Sequence, residues 1–372
     1  MTAKLKSAKS GELDSNFMNR ALRLAERGRG STSPNPIVGA VVVKRGRVVG
    51  EGWHRALGRD HAEVEALRRA GRAARGATLY VTLEPCTHWG RTPPCTDAIL
   101  AAGVARCVVA TRDPDPRVNG RGLRRLRAAG VSVEVGLLAR EADVQLAGYR
   151  RAHHSGLPRV TWKVAATLDG RIADAQGRSR WITGAAARAD GHRLRAEHDA
   201  IVVGAGTARS DDPRLTARTG ARVRQPLRVI VDSKLRLGSG LRVFSRSLAA
   251  GTVVACTRAA ARSRERALAA RGVRVWRLAA ASGRVSPVAL ARRLVAEGCH
   301  DVLLEGGPTL GASWLRSRLV QRVVLYSAPL VLGGGRAWCD GPPRPLAEAV
   351  RGRVVSATRV GGDTRTLVEL ED

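Results

Sequence analysis

Apolar and polar positions alternate with two different periods along most of the chain. Phe17, Ala21, Leu22, Leu24 and Ala25 recur at helical spacing and predict an amphipathic helix from Asn16 to near Gly28. Residues 38–43 and 47–51 predict two strands joined by a tight turn at Arg45-Gly46. A helix over 61–70 follows, with Asp60 as its N-cap and Gly71 as its stop. Strand 78–83, helix 96–102, strand 106–110, helix 122–129 and strand 131–135 continue the alternation. Strands separated by helices imply an α/β sheet covered on its faces. The polar run Arg150, Arg151, His153, His154, Ser155 then predicts a linker over 149–157. Beyond it the pattern restarts, with strands 160–165, 200–203, 227–231, 253–256, 301–304 and 322–328 and helices 184–196, 288–296 and 310–316. No period repeats, so the reading is a mobile tail over 1–15, one domain over 16–148, and a second over 158–372.

Composition narrows the class. At 372 residues, 44% hydrophobic and 26% charged, the chain suits two folded cores. No apolar run approaches the roughly 18 residues of a membrane span. Lys4, Lys6 and Lys9 are followed by Glu12 and Asp14 where a secretory signal would be apolar. The expectation is a cytoplasmic protein without membrane contact. The formal charge of +32 invites a nucleic-acid reading. However, 58 of the 64 basic residues are arginines scattered along the chain, and aromatic residues, the stacking platforms for single strands, make up only 3%. Scattered arginine points to compositional bias, and no specific nucleic-acid partner is expected. Six cysteines in a chain this long form no disulfide framework, and only Cys86 and Cys95 stand in a chemically suggestive context.

His61-Ala62-Glu63 opens a predicted helix, and Pro85-Cys86 follows a predicted strand, with Cys95 nine residues on. One imidazole and two thiolates can hold zinc and leave a fourth tetrahedral position for water, whose pKa then falls toward about 7. Glu63 can reach that water without coordinating the metal, and can pass its proton to a leaving amine. Zinc nucleobase deaminases use this arrangement, although their usual spacing places two residues between the cysteines where this chain has eight. A structural site with four protein ligands would have to recruit His88. His54 reads as a loop residue or pocket wall.

Longer words carry a resemblance. Cys86-Thr87-His88-Trp89-Gly90-Arg91-Thr92-Pro93-Pro94-Cys95, with Pro34-Asn35-Pro36-Ile37-Val38-Gly39, the stretch 76–84 and Asp113-Pro114-Asp115-Pro116, resembles the deaminase half of the bacterial riboflavin-biosynthesis deaminase/reductase family over residues 16–145. Residues 163–171, Ser179-Arg180-Trp181-Ile182-Thr183-Gly184, Gly206-Thr207, Asp211-Asp212-Pro213-Arg214-Leu215-Thr216 and Glu305-Gly306-Gly307-Pro308-Thr309-Leu310 resemble its reductase half. The resemblance implies an α/β protein: an N-terminal cytidine-deaminase-like αβα sandwich and a C-terminal dihydrofolate-reductase-like α/β domain. It implies one zinc per chain on His61, Cys86 and Cys95, with Glu63 catalytic. Asn35 would line the pyrimidine pocket, or else fix the turn between its two prolines. NADPH would lie on Ala166, Trp181, Thr207, Asp211, Ser233 and the loop Gly307, Pro308, Thr309, Leu310, Gly311, Ala312, Ser313. Substrate would meet Lys163, Ser179, Arg195, Leu215, Arg218 and Glu305.

Part of this is readable from the residues alone. Glu305-Gly306-Gly307 separates a strand from a helix, and its bare N–H groups can cradle a pyrophosphate. Val203-Gly204-Ala205-Gly206-Thr207 lacks the third glycine of a Rossmann fingerprint, because position 209 is Arg. Arg195 and Arg218 suit a ribose phosphate, or else are solvated surface residues. Lys163 sits in an apolar strand where an unpaired ammonium is costly, and Trp181 reads equally as core. Lys163 and Asp211 are the candidate proton donors. Three features depart from the family pattern: Asp115 in place of asparagine, Leu146-Ala147-Gly148-Tyr149, and Val320-Gln321.

The implied activity is hydrolytic deamination of 2,5-diamino-6-ribosylamino-4(3H)-pyrimidinone 5′-phosphate, then NADPH-dependent reduction of the ribosyl group to ribityl. The expected partner is this phosphorylated pyrimidine, and homo-oligomerisation is left open. The rival is a tRNA-type nucleic-acid deaminase with an accessory α/β domain, favoured by charge alone. A zinc-stabilised scaffold with a dead reductase is a third reading, which the presence of Glu63 and the open metal position oppose.

Overall fold

The computed structural model describes residues 2–90, 92–220 and 223–371, with side chains from Gly11 onward. It divides into two compact units, Met1–Ser155 and Gly156–Asp372.

The first unit is built on a five-stranded sheet: β1 (Gly39–Lys44), β2 (Arg47–Trp53), β3 (Thr78–Leu83), β4 (Arg106–Thr111) and β5 (Ser132–Val135), in the order β2-β1-β3-β4-β5. β1 runs antiparallel to β2 and β3, while β3, β4 and β5 are parallel. The period-two alternation of β1 decides what covers each face. Ala40 and Val42 pack with Ala62, Ala66 and Leu67 of α2 (Ala62–Ala70), and that side also takes Ile99 of α3 (Cys95–Ala101) and Leu123 and Leu126 of α4 (Arg121–Ala128). Val41 and Val43 face the other way, against Met18, Ala21, Leu22 and Leu24 of α1 (Thr2–Glu26), with Ala142 of α5 (Ala139–Gln145) on the same side. The result is a three-layer αβα sandwich.

At three places the local structure differs from the expected one. Residues 2–15, the expected tail, are helical and continue α1, because Ala, Lys, Leu and Glu are good helix formers. Residues 149–155 of the expected linker belong to α6 (Ala147–Ser155), whose Tyr149 and Ala152 bury one helical face. Asp60 does not cap α2: the cap position is His61 itself, with extended backbone and no side-chain capping bond.

The second unit carries a nine-stranded sheet in the order Arg274–Leu278, Thr252–Thr257, Leu227–Val231, Ala200–Gly204, Asp301–Leu304, Arg159–Thr167, Arg322–Ala328, Asp363–Leu370, Gly352–Val360. The first seven are mutually parallel, and the final hairpin is antiparallel. Helices Pro287–Ala296 and Pro308–Arg316 cover one face through Leu290, Leu294 and Trp314. Ala185–Glu197 and Arg262–Ala269 cover the other through Ala187, Leu194 and Leu268. The segment after Val203, read as a strand-to-turn element, is a strand followed directly by the helix Ala205–Asp211. Ligands of such sheets settle at the carboxyl ends of the parallel strands, and the cavity of this unit lies there.

Candidate active sites

In the first unit, α2 is pressed onto β2. A methyl group added at Gly52 would lie 2.3 Å from the Ala62 carbonyl oxygen, so only glycine permits this approach. The contact fixes the first turn of α2 and with it His61 and Glu63. Pro85-Cys86 leaves the end of β3, and Cys95 begins α3. The ligand atoms of His61, Cys86 and Cys95 all lie within 4.8 Å of one another. His61 Nδ1 is 3.1 Å from Cys95 Sγ and 3.7 Å from Cys86 Sγ, and the Cys95 N–H donates to Cys86 Sγ at 3.4 Å. Among the described residues His88 is not part of this group. The Cys95 hydrogen bond and the neighbouring imidazole hold the Cys86 thiol down at about 4, toward thiolate. Glu63 is buried, which pushes its carboxyl up to about 7 despite the nearby His61 charge. One nitrogen and two sulfurs with no fourth protein donor in the group fit a tetrahedral zinc ion that keeps one open position.

Residues beyond the motif hold this arrangement. Glu84, buried beside Pro85-Cys86, accepts from the N–H groups of Asp113, Gly120, Gly122 and Leu123 at 2.9–3.4 Å. It thereby ties the cysteine loop to the start of α4. Asn35 donates from Nδ2 to His54 Nε2 at 3.2 Å, while His54 Nδ1 donates to the Asp60 carbonyl at 3.1 Å. The pair fixes the Asn35 amide through His54, whose ring meets that of His61 edge-on at 5.1 Å. Asp115 is buried and clamped by Arg117 at 2.6 Å. Sequence reasoning missed Glu84, and it gave His54 no positioning role, because a lone glutamate or histidine carries no spacing signal.

In the second unit a cavity of about 910 Å³ is lined by Ser179, Gly206, Thr207, Asp211, Ser233 and the loop Gly307, Pro308, Thr309, Leu310, Ser313, among others. Three residues expected to meet the cofactor are not among its lining. Ala166 is part of the core, Ala312 is buried, and a methyl at Gly311 would lie 1.9 Å from the Trp162 ring. Trp181 is 68% exposed, which removes the core alternative, with Arg188 4.6 Å from its ring centre. Next to the glycine turn, Glu305 takes a two-pronged contact from Arg195, Nε and Nη2 each at 2.7 Å. Burial raises the Glu305 carboxyl, but Arg195 and Lys163 outweigh it and hold the group at about 2. Lys163, with its ammonium 5.6 Å from the Tyr326 ring centre, is pushed down by burial. Arg218 donates to Thr216 Oγ1 at 2.9 Å and approaches His192 Nε2 at 2.8 Å. Burial and then the charges of Arg195, Arg214 and Arg242 hold it below the ordinary arginine value. Leu215 is buried with a backbone φ of 51°, a left-handed conformation that a branched side chain rarely adopts.

A zinc-type deaminase fold followed by a reductase fold defines the class: a bifunctional deaminase/reductase. Residues 11–111 match the cytidine and deoxycytidylate deaminase zinc-binding region, and residues 158–365 match the RibD C-terminal domain. The chain belongs to the RibD family of riboflavin biosynthesis. It is 41% identical over 364 residues to riboflavin biosynthesis protein RibD of Escherichia coli strain K12, across 94% of this chain and 97% of that one. It is 40% identical over 352 residues to the Aquifex aeolicus protein, covering 95% and 97%. The solved structure of Acinetobacter baumannii RibD superposes with a TM-score of 0.90 at 37% identity, over 97% of this chain and all of that one. A Thermotoga maritima structure described as a diaminohydroxyphosphoribosylaminopyrimidine deaminase/5-amino-6-(5-phosphoribosylamino)uracil reductase gives 0.86 at 34%, with the same coverage. These findings place the chain in riboflavin biosynthesis and disfavour the nucleic-acid deaminase. No helix among the described residues is long and apolar enough to cross a membrane.

Proposed function

We propose that the first unit deaminates 2,5-diamino-6-ribosylamino-4(3H)-pyrimidinone 5′-phosphate, and that the second reduces the ribosyl group of the product to ribityl with NADPH. One zinc per chain, held by His61, Cys86 and Cys95, supplies Lewis-acid activation of water. Glu63 accepts the water's proton and returns it to the amine that leaves as ammonia. Its burial favours this shuttle, since a carboxyl near neutrality can both take and give a proton. Asn35, oriented by His54, pairs with the pyrimidine ring amide.

In the second unit NADPH supplies the hydride, and the chain binds and positions. Glu305 and Arg195 hold each other rigidly, and Lys163 stands beside them as the proton donor this arrangement favours over Asp211, its ammonium made more acidic by burial. The observation that carries the substrate reading is Arg218, which burial and then the like charges of Arg195, Arg214 and Arg242 hold below the ordinary arginine value, so that an entering anion is favoured beside it. A ribose phosphate is such an anion, and a guanidinium fork matches its oxygens.

Arg218→Ala tests it. Loss of one charge-assisted contact lowers reductase kcat/KM about 10- to 150-fold on the phosphorylated substrate, with NADPH affinity unchanged. On the dephosphorylated substrate wild type and variant perform almost equally. Equal slowing on both substrates would assign Arg218 to the fold or the cofactor and remove it from phosphate binding.

A further inference from the structure

Arg218 lies in no helix or strand, so its place depends on what holds the segment 215–218. Leu215 and Ala217 are buried, and the Gln225 amide binds both backbone groups of Ala217, accepting from its N–H at 2.9 Å and donating to its carbonyl at 3.0 Å. The alternate residues, Thr216 and Arg218, meet the helix Ala185–Glu197. That helix presents His192 and Arg195, three positions apart and so on one face. The Thr216 carbonyl accepts from His192 Nδ1 at 3.0 Å and from Arg195 Nη1 at 3.2 Å, while Thr216 Oγ1 accepts from Arg218 Nη1 at 2.9 Å. His192 Nε2 lies 2.8 Å from Arg218 Nη2.

These partners fix the state of the ring. A carbonyl only accepts, so Nδ1 carries a proton; a guanidinium only donates, so Nε2 carries none. His192 is therefore the neutral Nδ1–H tautomer. Burial, and then the charges of Arg195 and Arg218, hold its pKa below the ordinary histidine value. The two arginines are thus held in different ways. Arg195 is neutralised by its two-pronged contact with Glu305. Arg218 has no carboxylate partner among the described residues, and its contacts are a hydroxyl and an imidazole. An uncharged acceptor aims a guanidinium without cancelling its charge. A carboxylate in the same place would occupy the fork that a phosphate needs.

We propose that His192 is the positioning residue of Arg218, a neutral acceptor that aims the guanidinium at the substrate phosphate and leaves its charge free to bind it. The assignment rests on the reading above that Arg218 meets that phosphate. Its test is steady-state reduction of the pre-deaminated substrate, and of its dephosphorylated counterpart, by the full-length, zinc-loaded chain. NADPH oxidation is followed in wild type, His192→Leu, His192→Glu, His192→Gln, Arg218→Ala and the double variant His192→Leu/Arg218→Ala. Leucine removes the acceptor, so KM for the phosphorylated substrate rises about tenfold with kcat unchanged. Glutamate keeps an acceptor but pairs with Arg218, and KM rises at least as much. Glutamine brings an uncharged amide oxygen to the Nε2 position and stays within about threefold of wild type. On the dephosphorylated substrate the His192 variants match wild type, and in the Arg218→Ala background His192→Leu has no further effect. A wild-type KM in the leucine or glutamate variant, a glutamine variant as impaired as leucine, or an equal rise on both substrates overturns the assignment while leaving the phosphate reading intact. Absence of a selective loss in Arg218→Ala overturns the phosphate reading and the assignment with it.

Discussion

Glu63 and Asp113 are buried carboxyls of the first unit with different consequences. Glu63 sits on the first turn of α2, beside the cluster formed by His61, Cys86 and Cys95. Glu63→Gln keeps the shape and removes the proton shuttle. The variant retains zinc by metal analysis, releases ammonia about 10²- to 10⁴-fold more slowly, and reduces pre-deaminated substrate at the wild-type rate. Near-normal ammonia release would refute the assignment. Asp113 accepts from the Asp115 N–H at 2.9 Å and the Tyr149 hydroxyl at 3.0 Å, yet burial pushes its carboxyl up to about 6. Its folded pKa therefore lies above the unfolded value of about 3.9. The folded unit holds this proton more tightly, pays nothing for it below about pH 4, and is penalised increasingly as pH rises through 6. Asp113→Asn keeps an acceptor oxygen and removes the penalty. Stability measured by denaturant unfolding should rise by up to about 3 kcal/mol at pH 8 and hardly change at pH 4; an equal effect at both pH values would contradict it. At this scale the sequence exposed what has a spacing: the His-Ala-Glu triplet and the two cysteines. Glu84 was illegible, because its acceptors-to-donors pattern spans 29 to 39 positions and exists only once β3 and α4 meet.

The elements were legible where periodicity is strong and bury one face, as in β1, β3 and the parallel strands of the second unit. They were missed where polar residues hide a short amphipathic face, as in α6, or where exposed and half-buried strands lack alternation, as in the hairpin Gly352–Val360 and Asp363–Leu370. The helix Pro308–Arg316 shows how an element can serve a site through packing. Gly311, expected to touch cofactor, lets this helix settle on the Trp162 ring of strand Arg159–Thr167. Gly311→Ala places a methyl where the ring stands and must lift the helix carrying Thr309 and Leu310 away from the cavity. The expected cost is about 1–3 kcal/mol of stability in the second unit, read as a lowered thermal transition together with weaker NADPH binding. Ammonia release should be unaffected. A variant with wild-type melting and wild-type NADPH affinity would show that the helix tolerates the displacement.

The whole molecule joins two chemistries in one chain of net charge +32. Some of its arginines stand in local pairs in both units, such as Arg106 with Asp14 and Glu134, Arg159 with Asp301, and Arg195 with Glu305, and the rest are scattered along the chain. That distribution is why the charge was a poor guide to a partner, while the ordered motifs were a good one. The central claim is that both sites work, in sequence, on one small molecule. A coupled assay tests it most directly: zinc-loaded protein, the diaminopyrimidinone ribosyl phosphate, and simultaneous readings of ammonia and of NADPH absorbance. The account predicts ammonia release without NADPH, and, with NADPH present, oxidation that follows ammonia with a lag and reaches an equal molar amount. Glu63→Gln should suppress both signals, and pre-deaminated substrate should restore the second alone. NADPH oxidation that precedes or proceeds without ammonia release, or ammonia release that never leads to NADPH oxidation, would contradict it.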